Sequence, residues 1–188
     1  ITLSVEHAGQ KCPQCSFILT ERSAKMSKSL GNTVSPEMMI EKYGADTVRL
    51  FILFAANPTA GMDWSDSALE ANYRQMVQLY GMPSNILGWN GSASEIDLWM
   101  KARLKQRCLQ WQNAMDNYDL RGAVDASHFD LVKDLNWYRR RGGENPEVGK
   151  EILTVWTHMI SIATPHLAED WWKMLGNSDL IASRTFTL

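Results

Sequence analysis

Two lysines stand three residues apart in Lys25-Met26-Ser27-Lys28-Ser29, with Gly31 and Asn32 just behind them. The segment offers two cations together with hydroxyl and backbone donors on small residues. That is the equipment of a loop that closes over a polyphosphate and neutralises charge growing during reaction. Such chemistry asks little covalent work of a side chain; it is mostly positioning and charge stabilisation. A lysine, as a mobile point charge on a flexible stem, can follow a phosphate as it moves. The plain alternative for any K-x-x-K segment is a solvated basic turn. A second candidate is Lys11-Cys12-Pro13-Gln14-Cys15, a C-x-x-C knuckle. A structural zinc needs four ligands, usually from two such pairs. Only His7 is near, and Cys108 stands alone within a helical pattern. The reading preferred here is a tight turn or half a knuckle, with no metal ligands assigned; zinc at Cys12 and Cys15 is the alternative left open. His128, His158 and His166 show no metal-ligand spacing and read as structural.

The elements that must hold these groups can be read from period and punctuation. Ile1, Leu3 and Val5 alternate with polar residues, and Phe17-Ile18-Leu19 makes a second apolar run, so a short β-hairpin is expected around the knuckle. Ser35-Pro36-Glu37 starts a helix with a hydroxyl, a proline at the first helical position and an acid in the positive first turn. That helix should stop at Tyr43-Gly44. Asp46 is placed to cap the next helix, with Arg49 as its surface ion-pair partner. This second helix is apolar almost all round and is expected to be the buried member of its group. Asn57-Pro58-Thr59-Ala60-Gly61 breaks it. From Asp66, Leu69, Tyr73, Met76 and Tyr80 make one apolar face, ended by Gly81-Met82-Pro83. Three long amphipathic stretches come next, over 94–117, 119–141 and 146–163. In the last, Val148, Ile152, Val155, Met159 and Ile162 repeat at 4-3-4-3, the spacing of a helix packed in a bundle. Pro165 opens a short final helix, and the tail from 178 onward is expected to fray.

Composition sets the outer limits. The 188 residues suffice for one good core plus a small appendage, and 45% apolar with 21% charged content is ordinary for a globular protein. The net charge of -2 argues against a cation-coated surface and leaves room for a local basic patch. Three cysteines give no disulfide framework and suit a reducing compartment. No apolar run approaches the ~20 residues of a membrane span.

The loop, extended by Gly31-Asn32 and Pro36, resembles the signature loop of the class I aminoacyl-tRNA synthetases. Tyr43-Gly44-Ala45-Asp46, the run through Phe54-Ala55-Ala56, and Asp63-Trp64-Ser65-Asp66-Ser67 are similar to the leucyl-tRNA synthetase version of the segment. The isoleucyl and valyl enzymes share the loop and the Tyr-Gly-Ala-Asp phrase but usually differ in the residues after that phrase; they are the nearest alternative. Pro165-His166-Leu167-Ala168-Glu169-Asp170-Trp171-Trp172 is similar to a phrase in the anticodon-binding bundle of the same enzymes.

That resemblance implies a mainly α chain: an antiparallel helical bundle preceded by the small loop segment with its hairpin. Residues 1–62 would close a catalytic domain, and 63–188 would form the helical anticodon-binding domain. The parent enzyme would be a cytoplasmic leucine–tRNA ligase that activates leucine with ATP and magnesium and transfers it to tRNA(Leu). Lys28 would contact ATP, Lys25 would assist, and Ser27 and Ser29 would donate to phosphate or hold the loop's shape. Met26 reads as a hydrophobic tether and Asn32 as a turn-forming residue rather than a ligand contact. The nucleotide motif, amino acid pocket and editing insertion are expected upstream, so the isolated chain should be inert. For tRNA the candidates are Lys101, Arg103, Lys105 and Arg107 on one helix, for which a solvated face is an equal alternative, and Arg139-Arg140-Arg141 at the end of the next. A run of arginines there also complements a helix dipole. The eight tryptophans invite base stacking, with core packing the preferred use for nearly all. From another class, a non-catalytic RNA-binding or scaffold module would leave the lysine loop vestigial.

Overall fold

The computed structural model describes residues 9–20, 25–55, 62 and 64–184. The chain divides into two compact units, one ending at Lys42 and one starting at Tyr43.

In the first unit, residues 9–12 pair with 17–19. Gly9 N–H donates to Leu19 O and Leu19 N–H to Gln10 O, each at 2.8 Å, and Lys11 faces Ile18 across an antiparallel bridge. The arms meet around Cys12–Cys15, where Ser16 takes a left-handed conformation at φ 58°. The arm expected at Ile1, Leu3 and Val5 lies outside the described residues. After the lysine loop, α1 (Pro36–Tyr43) starts where its local signals put it. The Ser35 hydroxyl accepts from Met38 N–H at 3.4 Å and donates to Glu37 at 2.7 Å. The Ser35 bond holds the Glu37 carboxyl below its ordinary range. Gly44, at φ +82°, turns the chain out of α1.

The second unit is the helical bundle. Its helices are α2 (Ala45–Ala55), α3 (Asp66–Tyr80), α4 (Met82–Leu87), α5 (Glu95–Asp116), α6 (Leu120–Val124), α7 (Leu131–Arg139), α8 (Pro146–Ile160) and α9 (Pro165–Met174). The starts are local chemistry. Ser65 caps α3 by accepting from Ala68 N–H at 3.2 Å, and Ser94 with Asp97 forms a reciprocal capping box on α5. Asn145 accepts from Glu147 N–H at 3.0 Å, with Pro146 behind it.

α8 is the buried centre. Ile152, Leu153, Trp156 and Ile160 are wholly covered, so two of its faces are packed rather than the single stripe its 4-3-4-3 repeat suggests. Trp156 meets Trp171 edge-on at 5.1 Å between ring centroids and donates its indole N–H to Ser127 O at 2.6 Å. α2 is more one-sided than expected: Leu50 and Phe51 are buried, whereas Ile52 is about half exposed. The inward face of α3 also differs. Leu69, Asn72 and Leu79 are buried, whereas Tyr73 and Tyr80 stand out toward solvent. A phenol can present its ring to a surface and its hydroxyl to water, so tyrosine is a poor marker of a core stripe.

Between α6 and α7 the helix widens to a π turn over Asp125–Asp130, with Leu131 N–H donating back to Ala126 O. The carbonyls it frees are taken by side chains of other helices: Trp156 of α8 reaches Ser127 O, and Gln75 of α3 reaches His128 O. The tail is docked as far as described, because Glu169 accepts from Ile181 N–H at 3.2 Å and Ala182 N–H at 3.3 Å, and Ile181 is buried.

Candidate functional site

The lysine loop is braced by one side chain. Asn32 accepts from Ser27 N–H through Oδ1 at 2.8 Å and donates from Nδ2 to Lys25 O at 3.3 Å. A single carboxamide thus closes the turn, leaving the Lys25 and Lys28 side chains exposed on its outside. Lys28–Leu30 forms one tight turn, with Gly31 N–H bonded to Lys28 O at 3.2 Å. The Ser27 and Ser29 hydroxyls lie 3.1 Å apart on the same turn. Two ammonium groups and two hydroxyls are therefore gathered within five residues, a donor set matched to phosphate oxygens. The set contains no carboxylate, so the charge it brings to a phosphate is wholly positive. Met26 is 41% exposed and so only partly covered.

The knuckle presents Cys12 and Cys15 at the hairpin turn. Backbone N–H groups of Gln14 and Cys15 lower the Cys12 thiol's pKa from its ordinary value. No cluster of three or more metal-binding side chains forms among the described residues, and His7 lies outside them. Cys108 is buried against Met159, and burial pushes its thiol up to about 11.

The basic residues of the bundle fall into two groups. Arg103 and Arg107 turn inward from α5 onto α7. Arg103 reaches Asp134 at 2.9 Å; Arg107 reaches Asp134 at 2.7 Å and Asp130 at 2.9 Å. The Arg107 and Asp134 side chains are only 12% and 9% exposed, so this cluster is a helix–helix lock. Lys101 pairs at the surface with Glu151 at 3.1 Å, and Lys105 is exposed. At the C-terminal end of α7, Arg139 pairs with Glu144 at 3.3 Å, while Arg140 and Arg141 are exposed. The Arg141 guanidinium lies 3.5 Å over the Trp137 ring, and Trp137 in turn lies 3.9 Å from Trp99 at a tilt of 32°. These two tryptophans are half-buried, unlike Trp156, Trp171, Trp172 and Trp89 in the core. Sequence reasoning missed them because α5 and α7 meet only in the fold. The Trp99–Trp137 spacing carries no signal of its own.

Asp46 and Arg49 do not pair with each other. The Asp46 carboxylate accepts from Leu167 N–H and from His166 Nδ1, each at 2.8 Å, and so caps the first turn of α9. Arg49 donates to Ile162 O at 2.9 Å and Ala163 O at 3.3 Å, just past the end of α8. The partners lie more than 110 residues away, beyond the reach of local pattern. Beside them runs an open groove of about 410 Å³ whose lining includes Tyr43, Tyr73, Val77, Tyr80 and His166. The segment 165–172 is largely a packing phrase: Leu167, Ala168, Trp171 and Trp172 are buried, and Glu169 holds the tail.

Residues 97–187 match the family described as the anticodon-binding domain of tRNA ligase, and residues 10–65 match the class I tRNA synthetases of the I, L, M and V group. A leucine–tRNA ligase from Methanococcoides burtonii is 34% identical over 161 residues, covering 82% of this chain and 16% of its own length. The Archaeoglobus fulgidus leucine–tRNA ligase is 34% identical over 155 residues, with the same two coverages of 82% and 16%. Among solved structures, the Agrobacterium radiobacter K84 LeuRS, in a ternary complex with tRNA and LeuAMS, superposes with a TM-score of 0.71. At 24% identity over 85% of this chain and 22% of that one, this likeness carries the fold. The chain spans about 16% of the length of the curated relatives it matches. It belongs to the class I tRNA synthetases, and the relatives it matches are leucine–tRNA ligases.

Proposed function

We propose that this class I synthetase segment supplies a leucine–tRNA ligase with its phosphate-gripping loop and its tRNA-carrying bundle. In the complete enzyme the carboxylate of leucine attacks the α-phosphate of ATP, the bond to the β-phosphate breaks, and pyrophosphate leaves with the electron pair. Lys28 then sits against the phosphates where negative charge accumulates, with Lys25 as the second cation. Ser27 and Ser29 donate hydrogen bonds to phosphate oxygens or fix the turn. Magnesium would neutralise phosphate charge as well, held chiefly by the phosphate oxygens themselves. Asn32 fixes the turn that carries both lysines and touches no substrate.

The observation that carries this reading is the gathering of both ammonium groups and both hydroxyls on a turn braced from within by Asn32. The bundle binds tRNA(Leu) chiefly through its backbone, with Arg139, Arg140, Arg141, Lys101 and Lys105 as the outward cations. Arg103 and Arg107 contribute through the helix packing they fix. The test is Lys28→Ala in the full-length protein, read by leucine-dependent pyrophosphate exchange and by leucine binding. Removing one charge-stabilising donor should slow exchange by about 10²–10³-fold with little change in leucine affinity. Unchanged exchange would leave the loop vestigial and favour a non-catalytic RNA-binding role.

A further inference from the structure

Arg141, Trp137 and Trp99 form a layered stack on the bundle surface. Trp99 covers one face of the Trp137 ring at 3.9 Å, so the Arg141 guanidinium at 3.5 Å must cover the other. Arg103 sits 5.9 Å from the Trp99 ring centre and is tied to Asp134, which neutralises that end of the stack. The other end finishes in an exposed guanidinium over the Trp137 ring, with Arg140, its neighbour in the chain, exposed as well. With its central carbon 3.5 Å from the ring centre the guanidinium is too close for an edge-on approach, so its plane lies over the ring. Such a plane is a platform for another flat π system, and guanidinium planes serve unpaired RNA bases in this way.

We propose that the outer face of Arg141 stacks an unpaired RNA base, with Trp137 and Trp99 as the residues that position it and Arg140 beside it for the flanking phosphate. This rests on the tRNA-binding role proposed above and adds its mode: a contact to a base face, beyond charge to the backbone. A base is favoured over an acidic peptide because it can use the open guanidinium face as well as the N–H edges, whereas a carboxylate uses the edges alone. Trp137 occupies one guanidinium face and the open one is the other face.

The experiment uses the 188-residue chain and two RNA probes of equal length and charge, one a hairpin with an unpaired loop and one a fully paired duplex. Affinities are read by fluorescence anisotropy over a salt series. Arg141→Lys keeps the charge and removes the plane. It should weaken loop binding by about fivefold or more, the low end of what one base stack contributes, while leaving duplex binding and the salt slope unchanged. Trp137→Leu should do the same, with circular dichroism checking its fold; should that variant unfold, the exposed Arg141→Lys change still decides. Wild-type affinity in Arg141→Lys would show that charge alone suffices, and equal loss on both probes would show a backbone contact; either overturns the proposal. Failure of the unaltered chain to bind either probe would overturn the tRNA-binding role of the bundle and the stack together.

Discussion

Asp46 shows how a residue's neighbours in sequence can mislead about its work. It stands in the first turn of α2, yet both its carboxylate oxygens are spent on α9, one on Leu167 N–H and one on His166. It is also buried, so removing it strands a buried donor at the start of another helix. Asp46→Ala should lower the unfolding free energy by about 1–2 kcal/mol, the usual cost of losing a helix cap. Urea denaturation of the chain checks this, and an unshifted midpoint would mean that water replaces the carboxylate without penalty. Asp97 is a related case on α5. Burial pushes its carboxyl up, but bonds from Tyr138 at 2.6 Å and Asn145 at 2.7 Å outweigh that and hold it below the usual carboxylate range. Tyr138, buried beside that carboxylate, has its hydroxyl pushed up. The residue types of the lysine loop were legible from the sequence because they are contiguous. The Asn32 brace was legible only as a turn-forming tendency, since its donor and acceptor partners are set by how the loop closes.

At the scale of elements, α5 and α7 are joined by charge as well as by apolar packing. Asp134 receives both Arg103 and Arg107, and Arg107 also holds Asp130. Asp134→Ala leaves an almost covered guanidinium without its main partner, a loss of about 3–5 kcal/mol. Adding Arg107→Met to Asp134→Leu should recover much of it, because the most covered guanidinium is then gone and Arg103, 28% exposed and also bonded to Gln106, can turn to water. Denaturant midpoints of the single and double variants decide; a double variant as unstable as the single would refute this reading. Helix boundaries were read well from sequence because caps are local: Ser94, Asn145 with Pro146, and Ser65 act on their own next turn. The π turn at 125–130 was illegible because the donors that fill its carbonyls, Trp156 and Gln75, come from two other helices. The tyrosines of α3 misplaced its buried face, and the all-apolar look of α2 hid that one side faces out.

At the scale of the whole molecule, one buried histidine ties stability to pH. His128 is fully covered between Ser127 Oγ at 2.8 Å and Thr164 Oγ1 at 3.1 Å, and burial lowers its pKa to about 3. The unfolded chain, with an ordinary value of 6.5, binds a proton over the range in which the folded chain refuses it. The stability it contributes is therefore present above 6.5 and is lost progressively as pH falls below that value, levelling off near 3. Between pH 7 and pH 5 this single group should remove about 2 kcal/mol of unfolding free energy. His128→Gln should flatten that slope whatever it does to stability at pH 7. Chemical denaturation at each pH measures it, and an undiminished slope in the variant would place the dependence elsewhere. No described helix is long and apolar enough to cross a membrane. The overall plan, a small loop unit and then a helical bundle along the chain, was the most legible feature of all, because a 3.6-residue period sustained over three long stretches admits few other packings.

The bend between α8 and α9 is hooked from both sides by one turn of α2, Arg49 on the carbonyls that leave α8 and Asp46 on the amide that enters α9. Two hooks on one bar make the three helices a linkage: α2 cannot roll about its axis without dragging the end of one neighbour and the start of the other the same way. Whatever pushes on α2 is therefore felt as a change in the angle of that corner, and the Leu167 amide is the place where such a push would first be seen as faster hydrogen exchange.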